Sequence, residues 1–142
     1  MTLSFRFLKE SIKQNIILRP KIPVRISYNG KSILVLGLLD SGSDFIVIPE
    51  GVAQYLKLKI GKKKEVGIGI GGAIKMKRSF ANITIEGKRE KHILRRVPVH
   101  IPSGELGGMD EIIIGREPFF QEFDITFRRN SDRILLKRTR RR

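Results

Sequence analysis

Short stretches of alternating apolar and polar residues recur along this 142-residue chain from residue 23 onward. Residues 24–28 alternate in this way, Asn29-Gly30 follows, and residues 32–39 return as an apolar run. A period of two residues is typical of a half-buried strand, and Asn-Gly is a preferred centre of the tight hairpin turn that needs positive φ. The pattern therefore predicts a β-hairpin that ends just before Asp40.

Most of the remaining chain also has the pattern of short strands separated by turn residues, and long 3.6-residue periodicity is scarce. Two segments differ: the residues after Pro49 suit one or two turns of helix, and residues 118–123 suit a short helix that begins at a proline. Residues 1–18 fit either a strand or one face of a helix. Further strands are predicted at residues 46–48, 81–85, 92–99, 112–114, 124–127 and 133–136. We therefore expect a single domain of the all-β class.

The sequence has a large excess of positive charge. It contains 29 Lys and Arg against 14 Asp and Glu, a formal net charge of +15. Such an excess favours contact with anionic partners such as nucleic acid or an anionic surface. Part of it lies in residues 62–64 and in a basic C-terminal tail at residues 137–142, and runs of this kind are more often solvated surface than binding sites. A weak contact of the tail with nucleic acid is therefore one expectation.

The sequence lacks the usual signals of a metal site and of a membrane-spanning segment. The chain has no Cys, and His92 and His100 are isolated from each other in the sequence, so we expect neither a metal site nor a cofactor. Charged residues interrupt the apolar residues of segment 1–10, which therefore suits neither a signal peptide nor a membrane span. The expected location is cytoplasmic.

Asp40 is the most informative single residue. It stands between the apolar run that ends at Leu39 and a turn of small residues, Ser41, Gly42 and Ser43. Asp-Ser-Gly turns are common, because the carboxylate accepts hydrogen bonds from the amides that follow it. By itself the tripeptide does not distinguish a structural turn from a catalytic carboxylate.

In its wider context this loop resembles the catalytic loop of the retropepsin-like aspartic proteases. The likeness covers roughly residues 24–127 and has four parts that occur in the family's order. They are the Asp-Ser-Gly-Ser loop at residues 40–43, the segment Ile48-Pro49-Glu50 that begins a short helix, the glycine-rich segment 67–72, and the apolar triplet 112–114 with Gly115-Arg116 and residues 118–123.

The resemblance implies an acid-protease barrel with a flap hairpin and one or two short helices, acting as an obligate homodimer. The protease domain would span residues 23–136, after an N-terminal extension at residues 1–22 and before the basic tail. Two features depart from the compact viral enzymes, in which the chain termini build the dimer sheet. The stretch before Asp40 is longer, and a further strand at residues 133–136 follows the last helix.

The resemblance also implies an activity and roles for the loop residues. An aspartic endopeptidase hydrolyses a peptide bond with water activated between two carboxylates, and this chain has one Asp-Ser-Gly. Asp40 from each of two subunits would therefore form the pair. Ser41 would hydrogen-bond across the dimer, Gly42 would leave room for the substrate backbone, and Ser43 would complete the loop.

Further residues are implicated by the same resemblance. Asp44 and Arg116 would form an ion pair near the interface, and Asp44 would also contact substrate. The substrate would bind as an extended strand beneath two flaps. The flap residues that would cover it are Ile68, Gly69, Ile70, Gly71 and Gly72.

Other interpretations of the sequence compete with this one. Gly67, Gly69 and Gly72 satisfy a dinucleotide-binding pattern, but that pattern must open a helix, whereas residues 73–80 alternate like a strand. A non-catalytic dimeric barrel that binds protein segments or nucleic acid is the main alternative, since the net charge would suit it. A small nucleic-acid-binding barrel unrelated to proteases would need aromatic stacking surfaces, and the chain has only eight Phe and two Tyr.

Overall fold

The computed structural model describes residues 2–69, 72–103 and 111–140. These residues form strands and two short helices. The strands are β1 (Thr2–Phe5), β2 (Leu8–Ile12), β3 (Asn15–Arg19), β4 (Lys21–Tyr28), β5 (Lys31–Leu39), β6 (Ile46–Val47), β7 (Lys64–Gly69), β8 (Gly72–Glu86), β9 (Lys91–Pro102), β10 (Ile112–Ile114), β11 (Phe123–Arg128) and β12 (Arg133–Arg138). The helices are α1 (Glu50–Leu56) and α2 (Phe119–Glu122).

Most of the strands belong to one closed barrel. The main sheet has the order β4-β5-β10-β6-β9-β8-β7, and an additional antiparallel pairing of β4 with β8 closes six of its strands into a ring. β5 and β10 run parallel, as do β6 and β9, while β10 and β6 are antiparallel. The all-β class and the two short helices predicted from the sequence are confirmed.

The β4–β5 hairpin follows directly from its sequence pattern. Alternate residues of β4, beginning at Ile22 and including Val24, point into the barrel and are fully buried. The turn residues Asn29 and Gly30 have φ values of 48° and 84°, the left-handed region that this tight turn requires. Because the register is continuous from Lys21 opposite Leu38 to the turn, β5 ends beside the start of β4.

The N-terminal segment consists of strands, which resolves the choice left open by its pattern. β1 pairs with β12, which pairs with β11 in a three-stranded sheet, and Leu3 lies opposite Leu136 in the common core. β2 and β3 form a separate two-stranded hairpin. β12 continues through Lys137 and Arg138, so two cations assigned to the tail lie in the sheet.

The two helices lie where the sequence predicts them. α1 follows Pro49, buries Ala53 and Leu56, and ends at Lys57, whose φ of 52° gives the left-handed cap that commonly terminates a helix. α2 follows Pro118 and buries Phe119. Neither helix of the described residues is long and apolar enough to cross a membrane. The loop expected around residues 104–108 lies outside the described residues.

Candidate active site

Asp40 stands at the end of β5, beside the end of β10. Leu39 is opposite Ile114 in the parallel pairing of these strands, and the Asp40 amide donates a hydrogen bond to the Ile114 carbonyl oxygen at 3.0 Å. The preceding amide, of Leu39, donates to the Pro20 carbonyl oxygen at 2.9 Å. The barrel strands therefore fix the backbone on both sides of the point where the loop begins.

The loop also orients its own carboxylate. The Gly42 amide donates to Asp40 Oδ1 at 2.9 Å, and the Ser43 amide donates to the Asp40 carbonyl oxygen at 3.2 Å. Ser43 Oγ donates to the Phe45 carbonyl oxygen at 3.0 Å. Ser41 and Gly42 are exposed, whereas Asp40 is half-buried. The protein thus presents one oriented carboxylate on a small-residue turn at its surface.

A second loop, from Gly115 to Glu117, braces the first one. The amides of Arg116 and Glu117 donate to the carbonyl oxygens of Ser43 and Asp44, both at 2.8 Å. A side chain at Gly115 would place its Cβ 2.7 Å from the backbone amide nitrogen and carbonyl carbon of Phe45, so only glycine allows this approach.

Asp44 and Arg116 also meet through their side chains. Arg116 Nη2 pairs with Asp44 Oδ1, and the two side chains are 63% and 53% exposed for Asp44 and Arg116 respectively. An ion pair with this much solvent exposure contributes little to stability, about 1 kcal/mol at most. Its effect is therefore to hold the orientation of the two loops rather than to stabilise the barrel.

His100, on β9, connects the loop that follows Asp40 to the β7–β8 hairpin. Its ring stacks on Phe45 with 4.3 Å between ring centroids, and its Nε2 lies 3.2 Å from Glu65 Oε2 on β7. Burial lowers the pKa of His100, and nearby Arg78 lowers it further, while contact with Glu65 opposes both. The imidazole is therefore favoured in its neutral form. Sequence reasoning missed this contact, because Phe45, Glu65 and His100 come from three distant segments.

The predicted flap segment is described only in part. β7 and β8 form an antiparallel hairpin whose last described pair is Gly69 opposite Gly72. Ile70 and Gly71 lie outside the described residues, and for Ile68 the structure describes the backbone alone. Since a strand, not a helix, follows Gly72, the dinucleotide-binding pattern lacks the helix that it requires.

In the described part of the chain, Asp40 belongs neither to a metal-binding cluster nor to the main open groove. Within residues 2–69, 72–103 and 111–140, no three His, Asp or Glu side chains are grouped to hold a metal ion. An open groove of about 810 Å³ is lined by residues that include Val35, Val52 and Tyr55, and Asp40 is not among them. The groove is therefore separate from Asp40 and its loop.

Comparisons with known proteins agree with this geometry. The family model described as aspartyl protease matches residues 22–117. Among solved structures 44 chains match, including a retropepsin-like aspartic protease from Rickettsia conorii at 14% identity and a TM-score of 0.54, covering 96% of this chain and 91% of that one. EIAV protease complexed with the inhibitor HBY-793 matches at 25% identity and a TM-score of 0.44, covering 72% of this chain and 86% of that one. No curated protein sequence matches. The retropepsin-like fold is confirmed.

Proposed function

Because this chain belongs to the aspartyl protease family, we propose that it is an aspartic endopeptidase whose active centre is completed only when two copies associate. The observation that carries the proposal is the single Asp-Ser-Gly loop, held by strands β5 and β10 with its carboxylate oriented by the Gly42 amide. Such ordering is the preorganisation that a catalytic group needs before substrate arrives.

The need for two copies follows from the chemistry. Water activation between carboxylates requires two of them, one ionised and one protonated, close enough to share a proton. The other described Asp residues, Asp44, Asp124 and Asp132, are not followed by Ser-Gly or Thr-Gly. In a twofold symmetric dimer the two Asp40 loops meet on the axis, and each subunit supplies an equivalent carboxylate.

The dimer would hydrolyse a peptide bond by general acid–base catalysis. The ionised carboxylate takes a proton from the water molecule, and the oxygen of that water attacks the scissile carbonyl carbon. The protonated carboxyl gives its proton to the carbonyl oxygen. The tetrahedral intermediate then collapses: the newly protonated carboxyl gives its proton to the amide nitrogen, the other carboxylate takes a proton from one hydroxyl, and the C–N bond breaks. The products are a carboxylic acid and an amine, and the carboxylate pair returns to its singly protonated state.

An extended peptide is the substrate that suits this arrangement. Asp40 lies at the surface end of barrel strands, and the β7–β8 hairpin is tied to the catalytic loop through Glu65, His100 and Phe45. A peptide lying between loop and hairpin would bind as an additional strand, recognised through its backbone and alternate side chains. Flexible or unfolded segments of proteins are therefore the proposed substrate class.

Mixing experiments with Asp40→Asn test the proposal most sharply. Cleavage of a mixed peptide library should disappear in the variant while its dimer persists. When wild-type and variant subunits are mixed equally and allowed to exchange, activity should fall to about one quarter of that of the same total amount of wild type, because only dimers with two intact copies are active. Independent subunits would instead retain about one half.

Asp124→Asn is the matched control, since Asp124 is an exposed residue of β11 outside the loop. It should leave cleavage unchanged. Cleavage that survives Asp40→Asn would refute the proposed catalytic carboxylate. A stable dimer that cleaves nothing with either residue at position 40 would favour the non-catalytic barrel, and a salt-dependent affinity for nucleic acid would then identify its partner class.

A further inference from the structure

The β2–β3 hairpin leaves the barrel at the end that carries Asp40. β3 ends at Arg19, one residue before β4 begins, and the intervening Pro20 accepts the hydrogen bond of Leu39, the residue before Asp40. Five residues of strand, at about 3.3 Å each, reach roughly 16 Å. Measured from that junction, the hairpin is therefore long enough to reach well beyond the neighbourhood of Asp40.

Ion pairs fix the base of this hairpin to the barrel. Glu10 of β2 lies 2.7 Å from the Lys21 ammonium and 3.2 Å from Arg19 Nε, and Lys21 also lies 3.1 Å from Glu111, just before β10. The Lys21 side chain is only 17% exposed, so these contacts are partly shielded from solvent. The base of the hairpin is thus anchored to the same part of the barrel that holds Asp40.

Beyond its base the hairpin carries apolar side chains that its own subunit does not cover. Ile16 is 72% exposed, Ile12 41% and Ile17 36%. The pairing register puts Ile16 on the opposite face from Ile12 and Ile17, so each face carries exposed apolar area. A two-stranded hairpin is marginally stable alone, and the structure gives neither outer edge of this one a strand partner among the described residues.

We propose that the β2–β3 hairpin packs against the second copy of this chain and is a principal contact of the active dimer outside the catalytic loops. The inference rests on the proposed function, because sharing a proton between two Asp40 carboxylates brings the twofold axis within a few ångströms of that residue. An element that leaves the barrel beside Asp40 and is long enough to reach roughly 16 Å then lies within reach of the partner's surface. The exposed isoleucines supply the apolar area that such an interface buries.

Ile16→Thr tests the contact, because threonine keeps the β-branched shape and removes apolar area from a site that folding alone leaves exposed. Each dimer contains two copies of the change, so the dissociation constant of the dimer should rise by about 100-fold. Ile60→Thr is the matched control, since Ile60 is 41% exposed, like Ile12, and lies outside the hairpin. It should leave the constant within about twofold. Sedimentation equilibrium over a dilution series measures both.

A second measurement uses the absence of Cys from the sequence. The single thiol of an Ile16→Cys variant should react several-fold more slowly with a soluble reagent at concentrations where the protein is dimeric than after dilution to monomer. The thiol of Ile60→Cys should react at one rate throughout. This result does not depend on any loss of stability.

The outcomes separate the two proposals. A wild-type protein that stays monomeric while cleaving peptides would refute the proposed dimeric site itself. If wild type is a dimer, but Ile16→Thr leaves the dissociation constant unchanged and the thiol of Ile16→Cys reacts equally fast in monomer and dimer, the hairpin interface alone would be refuted. If Ile16→Thr raised KM and left the dissociation constant unchanged, the hairpin would contact substrate rather than the second copy, and the inference would again be wrong.

Discussion

Replacing Gly115 with alanine would perturb the Asp40 loop without touching its carboxylate. The added Cβ would lie 2.7 Å from the backbone amide nitrogen and carbonyl carbon of Phe45, and closer still to its carbonyl oxygen. These are backbone atoms, so they cannot rotate away as the flexible end of a side chain does. The φ of Gly115 lies outside the left-handed region, so the expected penalty comes from contact and not from backbone strain.

The size of the penalty follows from the neighbouring hydrogen bonds. Restoring an ordinary contact distance to the Phe45 carbonyl oxygen, the nearest of these atoms, requires the two loops to separate by roughly 1 Å or more. The bonds from Arg116 to Ser43 and from Glu117 to Asp44, now 2.8 Å each, would then be stretched beyond the usual length of a hydrogen bond. Losing most of both costs about 2 kcal/mol, with residual overpacking of about 1 kcal/mol. Reduced freedom of the unfolded chain returns about 0.5 kcal/mol, which leaves a net loss of about 2–3 kcal/mol.

Gly51→Ala is the matched control for Gly115→Ala. Gly51 lies in α1, and a Cβ added there would have no atom within 4 Å, so alanine should stabilise the helix by up to about 1 kcal/mol. Urea denaturation at one fixed protein concentration measures both changes, and kcat/KM under native conditions should fall about 100-fold for Gly115→Ala alone. A Gly115→Ala protein within about 0.5 kcal/mol of wild type would refute the steric reasoning.

Two further predictions concern buried rings and use the same denaturation assay. Because burial lowers the pKa of His100 below 6.5, the unfolded chain binds a proton that the folded chain resists, so wild-type stability should fall with pH below that value. In the His100→Gln variant, the free energy of unfolding should depend less steeply on pH than in wild type between about pH 8 and pH 5. Equal dependences on pH would contradict this prediction. Phe119→Ala should cost about 3–5 kcal/mol, because the ring is fully buried and its centroid lies 4.9 Å from that of Phe123. Phe127→Ala, at a ring 44% exposed, should cost far less, and equal losses would refute the packing argument.

Local sequence signals were sufficient to predict the strands and the turn nearest the Asp40 loop. The Asn29-Gly30 turn and the alternation of β4 are properties of a few neighbouring residues, and the structure follows them. The N-terminal strands have no such signal. Their turn places Lys13 and Gln14 at φ values of 45° and 68°, with neither Gly nor Asn at these positions, so the sequence does not mark it. β1 is a strand because it pairs with β12, from the other end of the chain, and such a pairing is invisible to local periodicity.

The candidate site likewise has one part that the sequence predicts and one part that it does not. Asp40 and its turn could be found from a tripeptide in its strand context, since the hydrogen bond from the Gly42 amide to its carboxylate is local. The stacking of His100 on Phe45 and its contact with Glu65 could not, because barrel closure brings those residues together.

These distant contacts determine how the site depends on the fold. Ser41 and Gly42 are exposed and bury little apolar surface. Contacts from outside the loop must therefore offset the conformational entropy that is lost when the loop is ordered. That stabilisation comes from the Ile114 carbonyl oxygen, which lies far along the sequence, and from the His100 ring. Since both contacts exist only once the barrel has closed, the geometry of the Asp40 loop forms with the barrel rather than before it. Changes that loosen β10 or β9 should therefore lower activity in proportion to their effect on the loop, even where they lie away from substrate.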